Sequence, residues 1–329
     1  MTSNLTKIPS VKLGADGPIV GAQGLGTMAM ATGVYGDTDE TEATATLEHA
    51  LERGVTLFDT ADMYGDGRGE EFVGRFVRRH RDQVVLATKF AFVLKEGSQY
   101  DYVLNNRPEY IRSAVDASLR RLGIDVIDLY YMHRRDPEVP LADSVGAMAD
   151  LVKAGKVRYL GLSEVSGEEL REAHAIHPIA AVQSEWSIFS RDVEQTSVPV
   201  AAELGVAFVP YSPLGRGMLT GAIQSTDFDA SDVRGFFPRF GEAAFDANTR
   251  LVAEIGKVAQ AHGATSAQVA LAWLYAQTKV HGLTVTPIPG TRKRSRLDDN
   301  LGALTVNLGT EDMKTLNQFA DAVHGARLP

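Results

Sequence analysis

Four side chains of complementary chemistry follow three consecutive apolar segments of the chain. Asp59 and Tyr64 follow the first of these segments, Lys89 the second and His133 the third. A carboxylate and an ammonium can pair and stay charged in a cavity, and the ammonium would lower the pKa of a nearby phenol from about 10. A histidine can donate a hydrogen bond to a carbonyl oxygen and so polarise it. These residue types therefore predict a device that delivers a proton to a developing alkoxide.

Each of the four residues, taken alone, is more often structural than catalytic. An Asp at a strand end commonly caps a helix, and a His after an apolar strand commonly lies satisfied in the core. The combination becomes informative only if the fold brings all four together, because buried charges are rare unless they are paired. None of the four can supply a hydride, so a cofactor would have to supply it.

The elements that must position these side chains recur as a short apolar strand followed by an amphipathic helix. Helices are predicted at Glu40–Arg53, Pro108–Leu122 and Leu141–Ala154, among others, and glycines such as Gly123 and Gly205 end helices. The predicted strands are Gly24–Thr27, Val55–Phe58, Val84–Thr88, Val126–Tyr131, Val157–Leu162, Ala180–Gln183, Val206–Pro210 and Leu283–Ile288. Eight such units predict an α/β fold of the (β/α)8 TIM barrel type, in which chemistry lies at the carboxyl ends of the strands.

The chain also carries segments that eight units do not need. A long loop, Gly221–Asn248, precedes the eighth strand, and long loops in compact domains are usually functional. Additional helices are predicted at Asp246–Ala261, Ser266–Tyr275 and Gly309–Val323. No linker composition divides the chain, so we predict a single barrel domain over residues 1–329. The loop includes the aromatic and basic residues Phe236, Phe237, Arg239 and Phe240.

Composition excludes several classes of function. The formal net charge is −9, from 33 basic and 42 acidic residues, which disfavours nucleic acid as a partner. The absence of cysteine excludes disulfides, thiolate zinc sites and a cysteine nucleophile, and no His/Asp/Glu spacing resembles a closed metal site. The first residues lack the regions of a signal peptide, and no apolar run is long enough to cross a bilayer. We expect a cytoplasmic protein without a membrane partner, and the oligomeric state stays open.

Four motifs resemble those of the aldo-keto reductases. They are F-D-T-A-D-M-Y-G (58–65), Q-S-E-W-S (183–187), Y-S-P-L-G-R-G (211–217) and I-P-G-T-R (288–292). The resemblance extends over nearly the whole chain and is strongest to the branch that includes plant auxin-induced reductases and yeast pyridoxal reductase. It implies NADPH-dependent, reversible reduction of an aldehyde or ketone to the alcohol. Tyr64 would be the general acid, Asp59 and Lys89 would tune it, and His133 would orient the carbonyl.

The resemblance also implies a site for NADPH or NADP+. Tyr211 would stack on the nicotinamide, while Ser163 and Gln183 would hold its carboxamide. Many family members have Asn at position 164, and Glu164, if ionised, could only accept hydrogen bonds. Either other side chains bind the amide oxygen, or Glu164 is turned elsewhere. The remaining implied contacts are Gly26, Thr27, Met28, Asp59, Ser212, Pro213, Leu214, Gly215, Arg216, Gly290, Thr291, Arg292, Arg296, Asp299 and Asn300.

A basic cluster favours NADPH over NADH. Arg292, Lys293, Arg294 and Arg296 lie just before or within the first turn of a predicted helix that runs to about Leu304. Cations at a helix N-terminus are disfavoured by the helix dipole, each by about 0.3–1 kcal/mol. The cluster therefore requires an anion, for which the 2′-phosphate of the adenosine is the natural candidate. In the family pattern, Arg292 and Arg296 meet this phosphate together with Thr291, and Asp299 and Asn300 reach the adenine.

The sequence indicates the class of substrate but not its identity. Tyr64, Phe90 and His133 are predicted to bind a small carbonyl compound, and apolar neighbours suit a hydrophobic or aromatic body. Arg135 or Arg239 could instead select an acidic substrate. Other candidates for the pocket wall are Met28, Met63, Phe92, Trp186 and the loop 236–240.

Two other functions stay open at this point. Some members of the superfamily are auxiliary subunits of potassium channels that bind NADPH tightly and turn over slowly, and they retain the four residues. Alternatively, Lys89 could form a Schiff base in a barrel aldolase. An aldolase would leave the basic cluster unexplained.

Overall fold

The computed structural model describes residues 6–31, 34, 38–95, 101–229 and 232–328. Most of the segment tested for a signal peptide and residues 230–231 of the predicted long loop lie outside these ranges.

Parallel strands form the centre of the molecule. The strands are β1 Ser10–Lys12, β2 Ile19–Gly21, β3 Leu25–Gly26, β4 Leu57–Asp59, β5 Val85–Phe90, β6 Phe92–Leu94, β7 Tyr102–Leu104, β8 Ile127–Met132, β9 Val157–Ser163, β10 Ile179–Glu185 and β11 Ala207–Tyr211. Seven of them, in the described residues, lie in one sheet in the order β3-β4-β5-β8-β9-β10-β11, so that strands that follow one another along the barrel are neighbours. Short antiparallel hairpins are formed by β1 with β2 and by β6 with β7.

The predicted eighth strand, Leu283–Ile288, closes the barrel without forming a regular strand. Thr286 N donates to Phe208 O at 2.9 Å on one side, and Gly24 N donates to Pro287 O at 3.0 Å on the other. This segment therefore lies between β11 and the segment that leads into β3. On the β11 side the regular pairing is limited to one bridge, between Val285 and Phe208, because Pro210 has no N–H to donate to Thr286 O. The predicted (β/α)8 barrel is confirmed, with an irregular eighth strand.

Helices surround the barrel. The predicted helix Pro108–Leu122 has these same bounds, and Gly123 and Gly205 end helices in the left-handed conformation as predicted. The helices are α1 Glu40–Glu52, α2 Arg68–Arg79, α3 Pro108–Leu122, α4 Leu141–Lys153, α5 Gly167–Ile176, α6 Ser197–Leu204, α7 Glu242–Ala261, α8 Ser266–His281, α9 Arg294–Gly302 and α10 Thr310–Asn317. Within the described residues, no helix combines the length and apolar character needed to span a membrane.

The segment before the eighth strand differs from its prediction. The loop was predicted to continue to Asn248, but helix α7 begins at Glu242 because the sequence Glu-Ala-Ala-Phe consists largely of good helix formers and Phe245 is buried. Short 3-10 turns at Val233–Phe236 and Pro238–Phe240 give the remaining loop local structure.

The barrel interior is filled by small and medium apolar side chains at alternate strand positions. Leu57, Leu129 and Val209 pack there with Leu13 and Val20, which come from the loop of the β1–β2 hairpin and from β2. The larger apolar cluster lies between the strands and the surrounding helices. This packing leaves the opposite end of the barrel, where the strands terminate, free for polar side chains.

Candidate active site

A cavity of about 1050 Å³ lies at the carboxyl ends of the barrel strands. Ligand pockets commonly measure about 300–1000 Å³, so the cavity can hold more than a small carbonyl compound. Asp59, Tyr64 and His133 line one part of it, and the residues around Arg292 and Arg296 line another. The cavity therefore connects the predicted proton donor to the predicted anion site.

Lys89 and Asp59 form a buried ion pair beneath this cavity. Lys89 is fully buried, its Nζ contacts the Asp59 carboxylate, and it donates a hydrogen bond to Thr60 O at 2.7 Å. Burial by itself would lower the pKa of the ammonium, but Asp59 and the Tyr64 hydroxyl raise it above its ordinary value. Lys89 is thus a permanent cation at neutral pH.

Tyr64 lies above this ion pair and beside His133. Lys89 Nζ is 5.3 Å from the centre of the Tyr64 ring, and the two also share a hydrogen bond. The rings of Tyr64 and His133 meet nearly at right angles, with their centres 6.1 Å apart. The local backbone explains the position of Tyr64, because Gly69 N donates to Tyr64 O at 3.0 Å where helix α2 begins. The structure brings all four predicted catalytic residues together.

His133 is held in its neutral form. Burial lowers the pKa of His133 well below its ordinary value, and the charges of Lys89 and Arg134 lower it further. Its backbone N donates to Phe90 O at 2.8 Å, and its ring meets the edge of Phe92 at 5.0 Å. A neutral imidazole keeps one N–H donor, and His133 lines the cavity.

The far end of the cavity is basic. Arg292, Lys293 and Arg296 line it at the start of helix α9, as do Thr291 and Asn300. Glycine is required where the first and last barrel segments meet next to this region, because a Cβ on Gly26 would lie 2.8 Å from Ile288 O.

Comparisons with known proteins assign the chain to a family. A model of the aldo/keto reductase family matches residues 23–321. The chain belongs to the aldo-keto reductase family. It is 42% identical over 312 residues to a protein of Glycine max described as probable aldo-keto reductase 1, covering 94% of this chain and 88% of the relative.

Solved structures support this assignment. The glycerol dehydrogenase of Gluconobacter oxydans superposes with a TM-score of 0.82 at 28% identity, covering 98% of this chain and 97% of the other. An aldo-keto reductase of Bacillus halodurans, solved in its holo form, gives a TM-score of 0.76 at 25% identity, with coverage of 96% and 98%. Members of this family are oxidoreductases that act on small carbonyl compounds and generally use a nicotinamide cofactor.

The cavity of this aldo-keto reductase is lined by most of the cofactor contacts that the sequence predicts. Thr27 does not line the cavity, since its Oγ1 donates to Asp59 O at 2.9 Å and so supports the strand end. Gly215 begins the 3-10 turn Gly215–Thr220 and does not line the cavity either, and Ser163 is fully buried. The predicted residues that do line the cavity are Gly26, Met28, Asp59, Gln183, Tyr211, Ser212, Pro213, Leu214, Arg216, Gly290, Thr291, Arg292, Arg296, Asp299 and Asn300.

Glu164 is turned away from the cavity, which is one of the two possibilities left open by the sequence. Its carboxylate pairs with Arg327, at 2.6 Å between Oε2 and Nη2. Oε1 accepts a further hydrogen bond from Glu185 N at 3.0 Å. Burial alone would raise the pKa of Glu164, but the bonds from Arg327 and Glu185 N lower it, so the carboxylate stays ionised.

Phe90 requires a correction. It was predicted to bind substrate, but its side chain is fully buried among apolar residues and packs on Tyr130 with ring centres 5.0 Å apart. Alternate residues of a strand face opposite sides, so a β5 that directs Lys89 into the barrel directs Phe90 outward to the helices. Phe92, two residues later, lines the cavity instead.

Other candidates for the pocket wall are also sorted by the structure. Met28, Met63 and Phe237 line the cavity, whereas Trp186 is fully buried in the core. The candidates for an acidic-substrate site, Arg135 and Arg239, are both absent from the cavity wall. Arg135 lies near Glu169, with Nε 3.6 Å from Oε1, and Arg239 pairs with Glu185 at 3.3 Å.

Two residues at or beside the cavity were not singled out from the sequence. Arg134 lines the cavity and donates to Ser163 Oγ at 3.2 Å, and its position directly after His133 could have signalled this role. Arg327 lies far along the chain from every motif, and no local pattern pointed to it. Within the described residues, no group of three or more potential ligand side chains could hold a metal ion.

The basic cluster needs one correction as well. Arg294 does not face the cavity, because it pairs with Glu42 of helix α1 at 3.0 Å. Glu42 thereby neutralises one of the four cations that the helix dipole disfavours. Three of the four cations, Arg292, Lys293 and Arg296, are directed to the cavity.

Proposed function

We propose that this protein catalyses the NADPH-dependent, reversible reduction of an aldehyde or ketone to the alcohol, with Tyr64 as the proton donor. The observation that carries the proposal is the buried Lys89–Asp59 pair under Tyr64, at one end of a cavity whose other end presents Arg292 and Arg296. A proton donor and an anion site in one cavity fit a substrate and a phosphorylated cofactor bound side by side.

The four residues near Tyr64 have complementary roles in this proposal. The nicotinamide cofactor, when bound, supplies the hydride that the carbonyl carbon receives. Neutral His133 donates a hydrogen bond to the carbonyl oxygen, and Tyr64 transfers its phenolic proton to that oxygen. Lys89 stabilises the phenolate that remains on Tyr64, and Asp59 holds the Lys89 ammonium in place. The product is the alcohol, and in the reverse direction the phenolate accepts the proton.

Several residues of the cavity are suited to hold the cofactor. Tyr211 would support the nicotinamide, and the turn 212–217 would contact the pyrophosphate. Arg292 and Arg296 would bind the 2′-phosphate, with Thr291, and Asp299 and Asn300 would contact the adenine. Cations at that end favour NADPH over NADH, because only NADPH carries the additional phosphate.

The substrate end of the cavity has an apolar wall. Met28, Met63, Phe92 and Phe237 line it, and they suit a carbonyl compound with a hydrophobic or aromatic body. We further propose that residues 1–329 act as one barrel domain and that the protein works in the cytoplasm, where reduced cofactor is available.

Schiff-base chemistry at Lys89 is disfavoured by its burial and by its ion pair with Asp59. An amine nucleophile must lose its proton, whereas the pKa of Lys89 is raised by its partners. Trapping with borohydride in the presence of carbonyl compounds should therefore leave Lys89 unmodified.

The decisive experiment follows the loss of NADPH absorbance with a panel of aldehydes and ketones. Wild-type protein is expected to consume NADPH at ordinary enzymatic rates with at least one compound. The variant Tyr64→Phe should bind NADPH equally well but lose on the order of 100-fold or more in kcat. Full activity of Tyr64→Phe would contradict the mechanism. Tight NADPH binding with very slow turnover in wild type would favour a regulatory role like that of the auxiliary channel subunits.

A further inference from the structure

The hydroxyl of Tyr211 lies between two guanidinium groups. Arg134 Nη2 and Arg327 Nη1 are each 3.4 Å from Tyr211 Oη. Arg134 comes from the end of β8 and also donates to His133 O at 2.8 Å, so it is fixed to the catalytic rim. Arg327 reaches the same hydroxyl from the segment that follows helix α10.

Arg327 is held by an ion pair of good geometry. Its two terminal nitrogens meet the two carboxylate oxygens of Glu164, at 3.1 Å and 2.6 Å. Only 11% of the Glu164 side chain and 22% of the Arg327 side chain are exposed, so solvent screens the pair less than it screens a surface pair. Two parallel charge-assisted bonds fix orientation as well as distance. We call this pair the clasp.

The backbone around Glu164 supports the clasp. Glu164 adopts a left-handed conformation, with φ of 54°, at the end of β9. Such a conformation is uncommon for a residue other than glycine, and it persists only where surrounding contacts stabilise it. Here the carboxylate accepts three hydrogen bonds, two from Arg327 and one from Glu185 N. The conformation therefore directs the carboxylate to Arg327 and away from the cavity.

We propose that the Glu164–Arg327 clasp positions Tyr211 and makes the segment after helix α10 part of the nicotinamide site. The inference rests on the proposed function, in which the Tyr211 ring supports the nicotinamide. An aromatic ring that must present one face to a ligand keeps a defined orientation when hydrogen bonds fix the hydroxyl at its far end. Leu328, next to Arg327, lines the cavity, so the clasp also places a piece of the cavity wall.

The test compares two ligands that differ only at the nicotinamide end. NADPH contains the nicotinamide, whereas 2′-phospho-ADP-ribose retains the phosphates and adenosine without it. In Arg327→Met and in Glu164→Gln, we expect the Kd for NADPH to rise about tenfold, as for loss of a hydrogen bond to a charged group. The Kd for 2′-phospho-ADP-ribose should stay within about twofold of wild type, which also reports correct folding.

A double-mutant cycle separates positioning from a merely structural role. If Arg327 acts through the Tyr211 hydroxyl, Arg327→Met should weaken NADPH binding much less in a Tyr211→Phe background than in wild type. Arg171→Met is the matched control, because Arg171 forms a comparable two-bond pair with Glu203, at 2.6 Å and 2.7 Å, on the exposed surface. This control should leave both dissociation constants unchanged.

Two results would overturn the clasp. One is an unchanged Kd for NADPH in Arg327→Met and Glu164→Gln while wild type binds NADPH. The other is an equal loss of affinity for NADPH and for 2′-phospho-ADP-ribose, which would indicate a general structural effect. If wild type bound neither ligand, the proposed function itself would fall, and the clasp with it.

Discussion

Gln183 donates a hydrogen bond from Nε2 to Asp59 Oδ2 at 2.9 Å. The other oxygen of the same carboxylate contacts Lys89 Nζ. The strand end expected to hold the cofactor is thus connected, through one buried carboxylate, to the ammonium below Tyr64. A disturbance at Gln183 should therefore reach Tyr64, the proposed proton donor.

Replacement of Gln183 tests this connection. Gln183→Leu removes one donor from the buried Asp59 carboxylate, and we expect the free energy of unfolding to fall by about 1–3 kcal/mol. kcat should fall as well, because Asp59, with one hydrogen bond fewer, fixes the Lys89 ammonium less firmly. Gln183→Glu would bring a second carboxylate to Asp59, so this variant should lose more stability and more kcat at pH 8 than at pH 5. Urea unfolding and kcat at both pH values check this, and equal values for wild type and Gln183→Leu would contradict it.

Arg296 tests the choice of cofactor. It lines the cavity near the start of α9, and Arg296→Ala should raise the KM for NADPH more than about tenfold, the loss expected for a charge-assisted contact. The KM for NADH, which lacks the phosphate, should change little. Arg294→Ala is the matched control, because Arg294 pairs with Glu42 outside the cavity. An unchanged KM for NADPH in Arg296→Ala would contradict the assignment of the 2′-phosphate site.

His133 predicts a pH dependence of stability. Its pKa in the folded protein lies well below the ordinary value of 6.5. Below about pH 6.5 the unfolded chain therefore binds a proton that the folded protein does not, so stability falls as the pH falls through this range. Between pH 7.5 and pH 5.5, the free energy of unfolding of wild type should fall by about 1 kcal/mol more than that of His133→Gln. Urea unfolding at the two pH values measures this difference, and equal losses would show that His133 does not titrate in this way.

Asp62 predicts a pH dependence of the opposite sign. Burial, and then the charge of Glu70, raise its pKa from 3.8 to about 8, and its Oδ1 has no hydrogen-bond partner among the described residues. Between about pH 4 and pH 8 the folded protein keeps a proton that the unfolded chain releases, so this carboxyl costs stability as the pH rises. The free energy of unfolding of Asp62→Asn, measured in urea, should therefore exceed that of wild type by about 1 kcal/mol or more at pH 8 and by little at pH 4. A variant no more stable than wild type at pH 8 would contradict the protonated state of Asp62.

The local sequence pattern was sufficient to predict the barrel and the residues at the carboxyl ends of its strands. Asp59, Lys89 and His133 each come at or directly after the carboxyl end of a strand, and parallel strands of a barrel all end at the same rim. Their proximity follows from the apolar runs alone. The same holds for the cations at the start of α9, since their position at a helix start is a property of the local sequence.

Side-chain direction at the end of β5 needed the tertiary structure. Strand alternation separates Lys89 from Phe90, but the pattern does not reveal which of two nearby aromatic residues enters the cavity. Ala91 has a φ of 137°, which interrupts the strand between β5 and β6 and turns Phe92 toward His133. A single backbone deviation of this kind leaves no periodic signal in the sequence.

By itself, the sequence determined the fold class and which residue types stand at each strand end, because both depend on contacts between near neighbours in the chain. Only the tertiary structure decided what those residues meet. Arg327 lies 163 positions from Glu164 and 116 from Tyr211, and no periodicity relates positions so far apart. Glu164 was ambiguous in the sequence because its partner comes from the segment after the last helix, α10. The packing of that segment against the rim resolves the ambiguity.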